Sequence, residues 1–348
     1  MSIEAATKDG ALFHEFVEGK ELRLSLPNAG SSSSTAPALS CTIMKAFRPF
    51  TMSPVLLVSL IQPSTPTHGD AVLPTTAIIK LYDRRCLSNV RDEFDEGKPW
   101  SLDKEQEYRQ YLDDVATGSV ARGDFDSPTF MWDNDVSDGE FEAYLRRVAQ
   151  RMFDAERTAY ERLRDLQGKK IPRLYSVVEY EIAIPNARGD GAAVTDTIPG
   201  LLLEYVSSLS LRQLVATWTA RNPPLANEVL AVLCEEAVKV VDRISDFDVL
   251  NEDVRVDNFL IREPFIDATS STQGGNAAVV ENAVVLIDLG LCRLRREDES
   301  EDEWIKAKWS QDEAGAVGFV LLGLVREFIG ENVWKYERSL RYYRPLEE

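Results

Sequence analysis

The sequence predicts an α+β chain of two lobes, the first rich in strands with one long helix, the second mostly helical, joined near Glu204. Three observations carry this. Short β-rich runs broken by Pro and Gly fill residues 39–83. One long helical period occupies residues 141–166. Beyond residue 204 the pattern is helical apart from a central pair of strands. At 348 residues there is room for two lobes, each with its own core.

Taken in order, residues 1–38 read as a peripheral extension that ends in SSSSTAP, a flexible linker by composition. LSCTIMKAF, PVLLVSLI and TTAIIKLYD then read as three strands of an antiparallel meander, separated by the turn RPFTMSP and the loop PSTPTHGD. Residues 84–136 are polar, acidic and poorly periodic. They read as an insertion, helical around 105–112. Ser137 and Glu140 form a capping-box pair at the start of the long helix. Its apolar positions are Phe141, Leu145, Val148, Met152, Ala155, Ala159, Leu163 and Leu166, and Gly168 ends it.

Two strands follow, in IPRLYSVVEYEIAIP and TIPGLLLEYV. SLRQLVATW is a short helix, and Asn227 is read as the cap of the next, whose apolar stripe includes Leu230, Leu233, Ala237, Val240, Val241 and Ile244. NFLIR and AVVLID are strands separated by a loop containing DATSSTQGGN. RLRREDESEDE leads to a final helical region from about residue 304. The expected division is an extension at 1–38, a first lobe at 39–203 with the insertion at 84–136, and a hinge and second lobe at 204–348. No internal repeat is visible.

Composition excludes several classes. Lys and Arg number 39 against 58 Asp and Glu, a net charge of -19, which argues against nucleic-acid and anionic-membrane partners. Cys41, Cys86, Cys234 and Cys292 are scattered, so single thiols are expected rather than disulfides or a zinc site. The two histidines, His14 and His68, lie outside any motif. The N-terminal MSIEAATKDG lacks the features of a signal peptide, and the apolar run at 315–325 is too short to span a bilayer. A soluble, intracellular, cytoplasmic protein is expected.

The residues that carry chemistry suit phosphoryl transfer. That reaction needs a cation on the phosphates, oxygen ligands for Mg2+ and a group that orients the attacking hydroxyl. Lys80 ends the apolar strand AIIK, and the alternative is a strand-end lysine in solvent. Glu156 on the long helix is its candidate partner; the alternative is a solvated helix face, which also holds Glu161. In NEDVRVDNFLI, Asp253 precedes Asn258 by five positions, just ahead of a strand. Asp253 would orient the hydroxyl, and the Asn258 amide oxygen would bind Mg2+. The alternative is an ordinary polar turn. Asp288 follows an apolar strand in VVLIDLGL and is the second candidate metal ligand, or else a turn residue.

Together IIKLYDRR, LQGKKIP, LLLEYV, DVRVDNFLI and LIDLGLCRLR resemble the protein-kinase-like superfamily, in particular divergent fungal kinase-like proteins, over about residues 39–325. The resemblance implies a bilobal protein-kinase-like fold and the cofactors ATP and Mg2+. It implies that Lys80, held by Glu156, binds phosphates, that Leu203 is the gatekeeper, and that the backbones of Glu204 and Val206 bind adenine. It makes Asp253 the catalytic base and Asn258 and Asp288 the metal ligands. Asp312 or Glu313, in QDEAGAVG, would brace the catalytic loop.

There are departures from the family pattern. KAFRPFTMSP stands where the family has a glycine-rich loop. His-Arg-Asp is Asn251-Glu252-Asp253, Leu289 replaces Phe, and no Ala-Pro-Glu motif follows. The reading is an ATP- and Mg2+-dependent phosphotransferase acting on a protein Ser/Thr hydroxyl. The alternatives are a pseudokinase that serves as a binding or scaffolding module, or a small-molecule kinase.

Overall fold

The structure, a computed structural model, describes residues 15–27, 38–61, 73–94, 97–127, 129–133, 135–185, 193–221, 226–263, 282–330 and 332–344. The SSSSTAP tract, the PSTPTHGD and DATSSTQGGN loops, His14 and His68 lie outside the described residues. The chain is α+β and divides into two compact units. The first holds residues 1–154 and 174–205, the second 155–173 and 206–348.

In the first unit, strands β1 (Glu21–Ser25), β2 (Ala38–Ala46), β3 (Val55–Ile61), β4 (Thr76–Leu81), β5 (Leu174–Ile184) and β6 (Val194–Glu204) form one closed antiparallel sheet in the order β1-β2-β3-β4-β6-β5. The meander read from the sequence is β2–β3–β4. Alternation directs Leu39, Cys41 and Ile43 of β2 inward, where they join Leu56, Val58, Ile79, Val178, Ile198 and Leu202 in one core. The peripheral reading of residues 1–38 needs correction at 21–25. Leu22 and Leu24 alternate into this core, and β1 pairs with both β2 and β5. Phe16 is fully buried beside them.

The polar tract at 84–136 is built into the first unit. Helix α1 spans Ser88–Phe94 and α2 spans Leu102–Thr117, which contains the helix expected at 105–112. The Ser101 hydroxyl accepts from Lys104 N–H at the start of α2, and Gly118 closes it in the left-handed region. A short helix α3 (Phe130–Asp133) precedes the long helix α4 (Asp138–Arg162). The Ser137 hydroxyl accepts from Glu140 N–H at 3.3 Å, as the capping pair requires. Part of the polarity of this tract belongs to a buried ion cluster. Arg84 pairs with Glu105 and Glu142, Arg91 with Glu142 at 2.6 Å, and Arg109 with Glu105 at 2.9 Å.

Residues 155–173, grouped by the sequence with 39–203, belong to the second unit. Their backbone carbonyls explain this. Gly168 C=O accepts from Arg262 Nη2 at 3.3 Å, and Lys170 C=O accepts from Leu286 N–H at 2.8 Å. The rest of the unit is β7 (Ser208–Ser210), α5 (Leu211–Thr217), α6 (Asn227–Ser245), β8 (Val249–Asn251), β9 (Phe259–Arg262), β10 (Val284–Leu286), β11 (Cys292–Leu294), α7 (Glu301–Gln311) and α8 (Glu313–Phe328). Asn227 is the first residue of α6 rather than its cap, and its side-chain oxygen accepts from Trp218 Nε1 at 3.2 Å. Strands β9 and β10 pair antiparallel, as do β8 and β11, two three-residue strands too short to show a period in the sequence. All four cysteines are buried and free, as expected.

Candidate functional site

Two loops of the second unit are laced together by backbone hydrogen bonds. The first runs from β8 through Asp253 to a 3-10 turn, Val256–Asn258, that enters β9. The second runs from β10 through Asp288 to β11. Ile287 N–H donates to Asn258 C=O at 2.9 Å, and Glu252 N–H donates to Leu291 C=O at 3.0 Å. The β8–β11 ladder pairs Asn251 with Cys292. The sequence-predicted residues Asp253, Asn258 and Asp288 therefore sit on adjoining loops. Asp288 is exposed and adopts φ 66°, a left-handed conformation that Asp tolerates better than most residues.

The Asp253 loop is held from below. Asn251 N–H donates to Glu313 Oε1 at 2.8 Å, and Asp253 N–H donates to Asn251 Oδ1 at 2.9 Å. Lys308 donates to Val249 C=O at 2.8 Å and pairs with the other oxygen of Glu313. This distinguishes the two bracing candidates. Glu313 is buried under the loop, whereas Asp312 caps α8 through Gly315 N–H and pairs with Arg338 at 2.9 Å. Burial pushes the Glu313 carboxyl up and the Lys308 ammonium down, each against the pull of the other. Arg255, which the sequence reading left out, places Nε 2.5 Å from Asp253 Oδ1.

Glu156 is fully buried, while Glu161 is exposed and pairs with Arg157 at 3.2 Å, so the solvated-face reading fits Glu161 alone. Burial drives the Cys292 thiol well up, and nearby Glu156, Glu313 and Asp288 add to the rise.

In the first unit, Lys80 is 6% exposed, which removes the reading of a solvated strand end. It lies opposite Val55 on β3 and Leu201 on β6, with Nζ 5.7 Å from the Tyr82 ring centroid. The connection between β2 and β3 is pinned down. Phe50 is buried in the core, edge-on to Phe16, Thr51 C=O accepts from Asn89 N–H, and Ser88 donates to Phe50 C=O. Of the residues that the sequence reads as a hinge, Leu203 and Val206 are buried and Glu204 is half-buried at the end of β6. Among the described residues, no group of three or more His, Cys, Asp or Glu is placed to hold a metal ion. No described helix is long and apolar enough to cross a membrane.

No family model matches the chain, and no curated protein matches it in sequence. Solved structures do match. A ROP18 kinase domain in complex with AMP-PNP and sucrose is 10% identical, with a TM-score of 0.44, over 91% of this chain and 72% of that one. WaaP in complex with acyl carrier protein is 16% identical, with a TM-score of 0.30, over 51% of this chain and 66% of that one. A rhoptry kinase from Toxoplasma gondii is 6% identical, with a TM-score of 0.35, over 82% of this chain and 55% of that one. At such identities and scores the likeness is distant, and the roles of individual residues stand on the loops themselves.

Sequence reasoning missed Arg255, Arg293 and Lys308, and noted Glu252 only as a departure from the resembled pattern. The run RLRR was visible as charge; the contact of Arg293 with Glu252 depends on the β8–β11 pairing, which the sequence did not reveal.

Proposed function

We propose that the chain is an ATP- and Mg2+-dependent phosphotransferase of bilobal protein-kinase-like fold, acting on a protein Ser/Thr hydroxyl. The observation that carries this reading is the lacing of the Asp253–Asn258 loop to the Asp288 turn, with Glu313 beneath. Asn258 and Asp288 offer an amide and a carboxylate oxygen, the hard donors that suit Mg2+ alongside phosphate oxygens. When bound, that ion would neutralise charge on the transferring phosphoryl group. Asp253 orients the acceptor hydroxyl and takes its proton. Lys80 binds phosphate, with Glu156 as its partner, and the backbones of Glu204 and Val206 bind adenine.

A second reading, a binding module without turnover, is favoured by two observations. Arg255 lies on the Asp253 carboxylate, and the β2–β3 connection is anchored by Phe50 and has no glycine. A thermal-shift titration with ATP, with and without Mg2+, separates the two readings, because a ligand of the native state raises Tm by mass action. The enzyme reading expects a Mg2+-dependent rise that Asp288→Asn abolishes. A folded chain with no shift under any condition sinks it and leaves the binding module.

A further inference from the structure

Glu252 stands directly before Asp253, where the resembled family carries an arginine. Its Oε1 lies 3.5 Å from Nε of Arg293 on β11. The same guanidinium donates from Nη1 and Nη2 to the two carboxylate oxygens of Glu299, at 2.8 and 2.9 Å. Glu299 also accepts from Arg296 N–H at 3.2 Å, and its backbone carbonyl takes Arg295 Nε and Nη2 at 3.4 and 3.3 Å. The Glu299 side chain is 2% exposed, and Arg293 lies over the Trp304 ring, 5.1 Å from its centroid. The neighbouring arginines are also matched, Arg295 with Glu301 at 2.6 Å and Arg296 with Asp298 at 3.3 Å.

Here the acid precedes Asp253, the arginine lies on the later segment, and a carboxylate in that same segment completes the fork. A two-pronged guanidinium–carboxylate pair is the strong, geometrically specific form of an ion pair. Ser300, the hydroxyl beside it, is already occupied. It caps α7 by accepting from Glu303 N–H and donates to Glu303 Oε2 at 2.7 Å, so a phosphate there would face the carboxylates of that turn.

We propose that Glu252, Arg293 and Glu299 form a built-in clamp that holds the segment after Asp288 in order against the Asp253 loop, with no added phosphate. On the phosphotransferase reading, the consequence is an enzyme competent as synthesised, with Arg293 as a positioning residue.

The test is hydrogen exchange on the full-length chain after phosphatase treatment, comparing wild type with Arg293→Met, Arg293→Lys and Glu299→Gln. The wild-type amides of residues 289–300 should be protected. The Met and Gln variants should exchange there roughly threefold to fivefold faster, as expected when a half-exposed charge pair is lost. Arg293→Lys should fall between, since an ammonium keeps the charge but not the fork. Amides of β2–β4 should not change. Should Arg293→Met fail to fold, the exposed Glu252→Gln must still raise exchange in the same segment. A wild-type segment that exchanges freely until phosphate is added overturns the clamp, as do variants that exchange like wild type. No nucleotide enters this readout, so a chain that never turns over ATP still decides it. Where turnover is measurable, Arg293→Met should lower kcat and leave nucleotide affinity unchanged.

Discussion

The two arginine–glutamate clusters use the same chemistry at different depths. In the first unit, Arg84, Arg91, Glu105 and Glu142 have side-chain exposures of 1, 2, 5 and 0%. In the second unit, Arg293 is 27% and Glu252 54% exposed, with only Glu299 fully covered. Water decides what each cluster can do. A charge with no access to solvent must keep its partner, because an uncompensated buried charge is expensive. A half-exposed charge loses its partner to water at little cost, so it orders a segment without governing the stability of the fold. Both Arg84 and Glu105 are held in their charged forms. Burial opposes this, but Glu142 and Glu105 raise Arg84, and Arg84 and Arg109 lower Glu105.

The largest effect should therefore come from the deep cluster. Glu142→Gln keeps the shape but leaves Arg84 and Arg91 with Glu105 as the one carboxylate of this four-residue set. It should lower the free energy of unfolding by roughly 3–5 kcal/mol, as read from urea melts. A loss under about 1 kcal/mol would mean that the cluster is hydrated like a surface pair.

Glu313→Gln comes next. Lys308 then loses its partner, but burial already lowers its pKa, and a lysine that sheds its proton limits the damage. The expected loss is roughly 2–3 kcal/mol, the scale of a buried hydrogen bond to a charged group. Glu313 also holds Asn251 N–H, so exchange at residues 249–253 should rise. An unchanged rate there would detach Glu313 from the Asp253 loop.

These sites differ in how far the sequence could disclose them. The meander, the long helix and the Asp253, Asn258 and Asp288 loops were legible because period and spacing are local. The deep cluster was not. Arg84 meets Glu105 and Glu142 from 21 and 58 residues away, and Arg91 meets Glu142 from 51. A tract whose few buried charges meet distant partners looks, in sequence, like a solvated insertion. Strand β1 was passed over because two buried leucines in five residues give too short a period to stand out from a linker. The choice between Asp312 and Glu313 turned on a left-handed residue, Asp312 at φ 44°, that breaks α7 from α8 and turns the next side chain under the loop.

Asp253→Asn should separate chemistry from stability. Its carboxylate is half-exposed and its partner Arg255 is exposed, so the unfolding free energy should move by less than about 1 kcal/mol. On the phosphotransferase reading, transfer should be lost while the nucleotide-dependent rise in Tm persists. Loss of both would point to misfolding. Turnover at the wild-type rate would remove Asp253 from the base role.

The smallest effect is expected from Glu299→Gln, and it should depend on pH. Hydrogen bonds from Arg293 bring the Glu299 carboxyl down to about 2 from its usual 4.5. Burial opposes this, while the Arg296 N–H and guanidinium assist it; of the other acids nearby, Glu252 pairs with Arg293, Asp298 with Arg296 and Glu301 with Arg295. A carboxylate whose folded value is depressed contributes its full stabilisation above the unfolded value and loses it as pH falls through the folded one. The gap between wild type and Glu299→Gln should thus be flat above pH 4.5 and close as pH approaches 2. Urea melts at stepped pH measure it, with a plateau of about 1 kcal/mol or less because Arg293 is partly in water. A gap that stays constant down to pH 2 would mean that the fork with Arg293 does not form in solution.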